Sequence, residues 1–266
     1  MPVMLGENLG ETLEAAAGTR VHLCGRLTIR LRGERVEDKL PGRQGRMLFA
    51  YLASHRMRSA TRPELLSVLW PESAPAAAES ALAALLAKLR RALGNSALAG
   101  KQEIRLTLPG DAWIDVEAAH EGLHRAESAL AARDWARAWG PGRVALHIAA
   151  RGFMPGCDAP WTAPIRHNLE DLLVRSCECV AASSLGLGGA EIATAERAAQ
   201  RLIELAPYRE SGYRMLMQAL AARDNVGEAL MVYERLRKVM REELGASPGP
   251  LTQGLHRQLL QGRVGS

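Results

Sequence analysis

The apolar residues of this chain change their spacing partway along it. Around Leu23, Leu27, Ile29, Leu31 and Val36 they alternate with polar neighbours. That is the period of short antiparallel strands, here turning at Gly33. From Glu117 onward no stretch alternates, and the apolar runs carry helical spacing. A chain built this way is expected to be mainly α, with small β-sheets confined to its front. At 266 residues, and roughly 100–200 residues per domain, two domains are expected. The boundaries read as a tail over 1–19, a first domain over 20–116 and a second over 117–266. Only two Phe are present, so Leu, Ala and Val must build most of both cores.

In the front half, Arg43 to Arg58 carries Met47, Leu48, Tyr51 and Leu52 at helical spacing. A second helix, Glu64 to Leu69, is expected to start at Thr61. Thr61 would be the N-cap, with Pro63 in the first turn and Glu64 as its partner in a capping box. Trp70-Pro71 ends it. A third helix spans roughly Ala76 to Leu93 and stops at Gly94-Asn95. Its Leu82, Leu86, Leu89 and Leu93 form one stripe that must pack inward. Ser80, Ala84, Ala87 and Arg91 form the opposite face, flanked by Ala83 and Lys88. Beyond it, the segment from Lys101 to Leu108, which includes Arg105, and the segment from Trp113 to Val116 are candidates for a closing hairpin.

Strands, three helices and a hairpin make a winged helix-turn-helix, whose third helix enters the major groove while the wing touches the backbone. The charge distribution agrees. Residues 1–110 hold 16 Lys plus Arg against 10 Asp plus Glu, whereas residues 111–266 hold 18 against 19. Arg20–Arg62 alone carries 11 basic and 3 acidic residues, a net +8. A basic half joined to a neutral half suggests a polyanion-binding module tethered to something else. The competing reading is a generic small domain whose third helix is merely amphipathic.

Several classes fall away. The longest weakly polar run, Ala76 to Ala87, is twelve residues and contains Glu79 and Ser80. A membrane span needs about 20 apolar residues. The opening stretch lacks a basic start, an apolar run and a cleavage site, so a cytoplasmic, nucleoid-associated location is expected. Cys24, Cys157, Cys177 and Cys179 read as reduced, packed thiols. His120 and His124 are four apart but have no third ligand nearby. No G-x-x-x-x-G-K-S/T loop occurs, and Glu170-Asp171 and Glu242-Glu243 have no accompanying nucleophile. No catalytic residue, cofactor or metal is expected, and the chain does not read as an enzyme.

The back half reads as helices over His120–Arg133, Trp135–Arg151 with a turn at Gly140-Pro141-Gly142, Pro164–Leu185, Ala190–Ala206, Tyr208–Arg223, Val226–Leu244 and Pro250–Leu260. Ala195 and Leu202 recur 34 residues later as Ala229 and Leu236. Helix pairs repeating at 34 residues are the tetratricopeptide signature, and stacked pairs offer a concave surface to other proteins.

The residues also carry a family resemblance. Leu23-Cys-Gly-Arg-Leu27, Gly42-Arg-Gln-Gly-Arg46, Thr61-Arg62 with Leu65-Leu66-x-x-Leu69-Trp70, and Lys88-Leu-Arg-Arg-Ala-Leu-Gly94 follow one another in order. This series resembles the DNA-binding domain of the Streptomyces antibiotic regulatory protein family. Trp161-x-x-x-x-Arg166-x-x-Leu169-Glu170, Leu205-Ala-Pro-Tyr-Arg-Glu210, Glu228-Ala-Leu-x-x-Tyr233 and Glu242-Glu-Leu-Gly-x-x-Pro-Gly-Pro250 are similar to the bacterial transcriptional activation domain that follows it.

The resemblance implies a transcriptional activator that binds direct repeats in double-stranded promoter DNA and recruits RNA polymerase holoenzyme. Its protomers would sit side by side or as a homodimer. It places Arg43, Gln44, Arg46, Thr61 and Arg62 near phosphates, with Lys88 and Arg91 reaching phosphate or a groove edge. Two of the three positions matching the middle of the recognition helix, Ser80, Ala83 and Leu85, are apolar, which favours readout by shape. The alternative is a helical-repeat adaptor whose DNA-binding domain is degenerate.

Overall fold

In the computed structural model residues 18–262 are described; the tail expected over 1–19 lies, for residues 1–17, outside them. The chain packs as two units. One is the described part of Met1–Ala118 together with Arg151–Leu169, and the other is Ala119–Ala150 with the described part of Glu170–Ser266. The division falls within two helices, and the segment Arg151–Leu169 returns to the first unit although its neighbours on both sides belong to the second.

The first unit opens with β1 (Arg20–His22), β2 (Thr28–Leu31) and β3 (Glu34–Arg35). β1 and β2 are antiparallel with Val21 opposite Ile29, and β2 turns back into β3 through Arg32 and Gly33. Three helices follow: α1 (Gly42–Ser54), α2 (Arg62–Leu69), preceded by the two-residue β4 (Ala60–Thr61), and α3 (Ala78–Leu93). The last strands are β5 (Leu98–Ala99), β6 (Glu103–Leu106) and β7 (Trp113–Ile114). They complete a four-stranded sheet, β3-β2-β1-β7, and a three-stranded sheet, β4-β6-β5. Leu48, Phe49, Leu65, Leu82, Leu86, Leu89 and Ile104 fill the core between helices and sheet. This is a winged helix-turn-helix.

The wing corrects one expectation. The segment after Lys101 does not pair with Trp113-Ile114. β6 pairs antiparallel with β5, Leu106 opposite Leu98, and with β4, Ile104 opposite Ala60. β7 instead lies parallel to β1, with Ile114 opposite Val21.

Asp115, fully buried, follows β7 and accepts hydrogen bonds from the backbone N–H of Leu23 at 2.8 Å and of Cys24 at 2.9 Å. Arg151 lies 3.4 Å from the same carboxylate. The returning segment is tied on by backbone bonds from Met154 N–H to the Leu23 carbonyl and from Gly25 N–H to the Gly152 carbonyl. Arg166 closes it by donating to the carbonyls of Phe153, Met154 and Cys157. Trp161 meets Tyr51 and Phe153 edge-on, with ring centroids 5.2 and 5.8 Å apart.

The second unit contains the bodies of α4 (Asp115–Ala131) and α6 (Thr162–Leu187), with α5 (Trp135–Ala149), α7 (Ile192–Leu205), α8 (Glu210–Ala221), α9 (Val226–Leu244) and α10 (Pro250–Leu260). α5 runs unbroken through Gly140-Pro141-Gly142, where a turn was expected. A Cβ on Gly142 would sit at ordinary contact distance, 3.5–3.6 Å, from Val180, Ala126 and Cys179, so this glycine faces its neighbours from within an intact helix. Ala195, Leu202, Ala229 and Leu236 are all fully buried, and the two helix pairs that carry them form a tetratricopeptide-like repeat. Cys177 and Cys179 are buried on α6, where loss of water pushes their thiols up to about 11 and about 12. No helix among the described residues is long and apolar enough to cross a membrane.

Asp115→Ala would leave two buried N–H donors without an acceptor. Each such loss costs about 1–3 kcal/mol, so urea unfolding followed by tryptophan fluorescence is expected to show the variant destabilised by about 3 kcal/mol.

Candidate nucleic-acid interface

The first turn of α1 contains Arg43 and Gln44 and no acidic residue. Arg43 is exposed, and Arg46, one turn on, stands 3.6 Å from Asp38. A helix N-terminus whose first turn holds the exposed Arg43 and no carboxylate presents positive potential and unpaired N–H groups to an anion.

The start of α2 is set by its sequence. Thr61 Oγ1 accepts from the Glu64 N–H at 3.3 Å while Glu64 returns a bond to the Thr61 N–H at 3.2 Å, a complete capping box. Glu64 also accepts from Arg58 at 2.6 Å and from the Tyr51 hydroxyl. The Arg58 guanidinium, followed by Tyr51 and the Thr61 N–H, outweighs partial burial and holds the Glu64 carboxyl down at about 2. Burial and the neighbouring Glu64 push the Tyr51 hydroxyl up. This cluster ties Tyr51 of α1 to the first turn of α2 and was not foreseen beyond the capping box.

Arg62 does not stand free. Its guanidinium donates to Glu79 Oε2, 3.0 Å from Nε, and to the Glu79 carbonyl. The pair joins the first turn of α2 to the first turn of α3, and the Arg62 side chain is only 19% exposed.

α3 presents the face the sequence indicated. Leu82, Leu86 and Leu89 are buried, while Ser80, Ala83, Ala84, Ala87, Lys88 and Arg91 are exposed. Lys88 and Arg91 have no acidic partner within 4 Å among the described residues, and the same holds for Arg43 and Lys101. Lys101 is exposed in the turn between β5 and β6. Arg105, on β6, donates to the Arg56 carbonyl at 3.3 Å, which directs it to the turn after α1. The sequence reading missed Arg90, whose guanidinium donates to the carbonyls of Leu98 and Gly100 in the wing. Exposed cations thus stand at the C-terminal end of α3, at Lys88 and Arg91, at the start of α1, at Arg43, and in the turn of the wing, at Lys101.

A winged helix-turn-helix joined to a tetratricopeptide-like helical unit defines the class. The bacterial transcriptional activator domain matches residues 114–260. Regulatory protein AfsR of Streptomyces coelicolor is 30% identical over 221 residues, which is 82% of this chain and 22% of AfsR. Transcriptional regulatory protein MoaR1 of Mycobacterium tuberculosis is 24% identical, over 92% of this chain and 80% of MoaR1. This chain therefore spans about a fifth of AfsR and most of MoaR1. The solved structure of Mycobacterium tuberculosis EmbR in complex with a low-affinity phosphopeptide has the same fold. Its TM-score is 0.75 at 23% identity, covering 91% of this chain and 65% of that one. The chain belongs to the Streptomyces antibiotic regulatory protein family and carries its bacterial transcriptional activator domain.

Glu64 generates a pH test. Its carboxyl is depressed from the ordinary 4.5 to about 2, so its contribution to stability is complete above pH 4.5. That contribution is lost as pH falls from there toward 2. Between pH 5 and pH 2.5 the thermal midpoint of the wild type is expected to drop further than that of Glu64→Gln, measured by circular dichroism.

Proposed function

We propose that this protein is a sequence-specific transcriptional activator that binds direct repeats in promoter DNA. α3 lies in the major groove, with Lys88 and Arg91 at its C-terminal end. Arg43, Gln44, Arg46 and Thr61 on one edge, and Lys101 and Arg105 on the other, face phosphates. Arg62 contributes by holding Glu79 and thereby the α2–α3 angle. Protomers bind side by side, the helical unit recruits RNA polymerase holoenzyme, and the protein acts in the cytoplasm at the nucleoid as a regulator rather than a catalyst. The observation that carries this reading is the exposed face of α3, closed inward by its leucine stripe and ended by two cations without acidic partners.

Such a surface gains most of its affinity from counterion release. Fluorescence anisotropy on duplexes from the region upstream of its own gene is expected to show binding at 50 mM salt that weakens steeply by 200 mM. Lys88→Ala with Arg91→Ala should lower the log–log salt slope by about 2 without moving the thermal midpoint. The exposed Ala83, Ala84 and Ala87 offer no hydrogen bonds to bases, and they favour a second reading, a protein-interaction adaptor with a degenerate DNA-binding domain. Binding that is missing at 50 mM salt, or indifferent to salt, selects the adaptor.

A further inference from the structure

Three cations end α3, and they are not equivalent. Lys88 and Arg91 are exposed, whereas Arg90 is half-buried. Arg90 donates from Nε to the Leu98 carbonyl at 3.3 Å and from Nη2 to the Gly100 carbonyl at 2.8 Å. Leu98 begins β5 and Gly100 opens the turn into β6, so one planar guanidinium grips the wing at its base and at its tip.

The wing needs such a grip. β5 is the two-residue edge strand of the sheet β4-β6-β5 and shares only two register pairs with β6, so few ladder bonds hold it in place. Its turn is also tightly drawn. Gly100 has φ +87°, and a Cβ there would lie 1.8 Å from the Glu103 carbonyl oxygen. The residue presented by this turn is Lys101, exposed and without an acidic partner among the described residues.

We infer that Arg90 is a positioning residue for DNA binding. It holds the wing to the C-terminal end of α3 so that Lys101 meets the phosphate backbone while α3 lies in the groove. Arg90 itself makes no contact with DNA. The inference rests on the DNA-binding reading above. It adds that the wing's contribution is transmitted through the two carbonyl bonds of Arg90 rather than through its charge.

The test uses the full chain and a duplex selected by it from a random library, with affinity measured against salt. Lys101→Ala is expected to weaken binding about 5- to 10-fold at 0.1 M salt and to lower the salt slope by about 1, the loss of one phosphate contact. Arg90→Met should do the same. Arg90→Lys should bind like Arg90→Met although it keeps the charge, because an ammonium cannot reproduce the fork. The double variant Arg90→Met/Lys101→Ala should be no weaker than Arg90→Met alone. Gly100→Ala, which disturbs the turn at the residue whose carbonyl Arg90 holds, should show the same slope loss. If Arg90→Met unfolds, the cycle is run with Arg90→Lys. Wild-type affinity in Arg90→Lys, multiplicative losses in the double variant, or an unaffected Lys101→Ala each overturn the inference. Failure of the wild type to select any duplex at 50 mM salt removes the DNA-binding reading itself.

Discussion

Where β1 ends, the N–H groups of Leu23 and Cys24 point to a side chain more than ninety residues away. Asp115 accepts both, from a position with no exposure to water. Burial pushes its carboxyl above the ordinary value, against the pull of those two N–H groups, His22 and Arg151. The arrangement is expensive in isolation, since a buried carboxylate is stable only when its oxygens are saturated with donors. It is saturated here because β7 has already laid Ile114 beside Val21, which delivers Asp115 to the end of β1. The four-stranded sheet, the start of α4 and the docking of the segment around Phe153 therefore depend on one another through this residue. The Leu23 carbonyl and the Gly25 N–H, on either side of the bonded pair, take the returning chain.

The same accounting changes the meaning of the basic front. Arg20–Arg62 carries a net +8, yet six of its eleven cations are committed to carboxylates. Arg35 pairs with Glu37, Lys39 with Glu34, Arg46 with Asp38, Arg56 with Glu117, Arg58 with Glu64 and Arg62 with Glu79. Three of those carboxylates come from outside the segment. Net charge therefore overstates the field available to a polyanion. Among the described residues, the cations that no carboxylate answers are Arg20, Arg26, Arg30, Arg32 and Arg43 in this segment, and Lys88, Arg91 and Lys101 beyond it.

How much of this was legible in the sequence depended on whether the determining interaction was local. The capping box at Thr61 and Glu64 spans three residues, and the leucine stripe of α3 repeats every turn, so both could be read directly. The 34-residue recurrence of Ala195 and Leu202 could also be read, because the repeat writes the same burial twice. The wing could not. β5 is too short to show an alternation, and the partner of β7 lies in β1, joined by a parallel pairing that leaves no turn signal between the strands. Trp113-Ile114 was the nearest apolar pair after β6 and attracted the wrong assignment. Gly140-Pro141-Gly142 failed for a related reason. Gly142 faces neighbouring helices while Gly140 meets open space, and no local pattern distinguishes a helical glycine from a turn glycine. Among the site residues, exposure on α3 followed from helical phase, but the partners of Arg62 and Arg105 are tertiary and could not be foreseen.

The scarcity of aromatic residues is resolved differently in the two units. Both phenylalanines, Phe49 and Phe153, are buried in the first, beside Tyr51 and Trp161. The second unit buries Tyr213 and Tyr233 and packs the rest of its core by close approach. Ala195, Ala199, Ala219 and Ala229 are fully buried, and a Cβ on Gly212 would lie 3.1–3.2 Å from Ile203 and Leu202. Small residues at such positions let helices approach closely, and dispersion between many close atoms then replaces what a few rings would supply. A core of that kind tolerates enlargement poorly, because an added methyl has no void to enter.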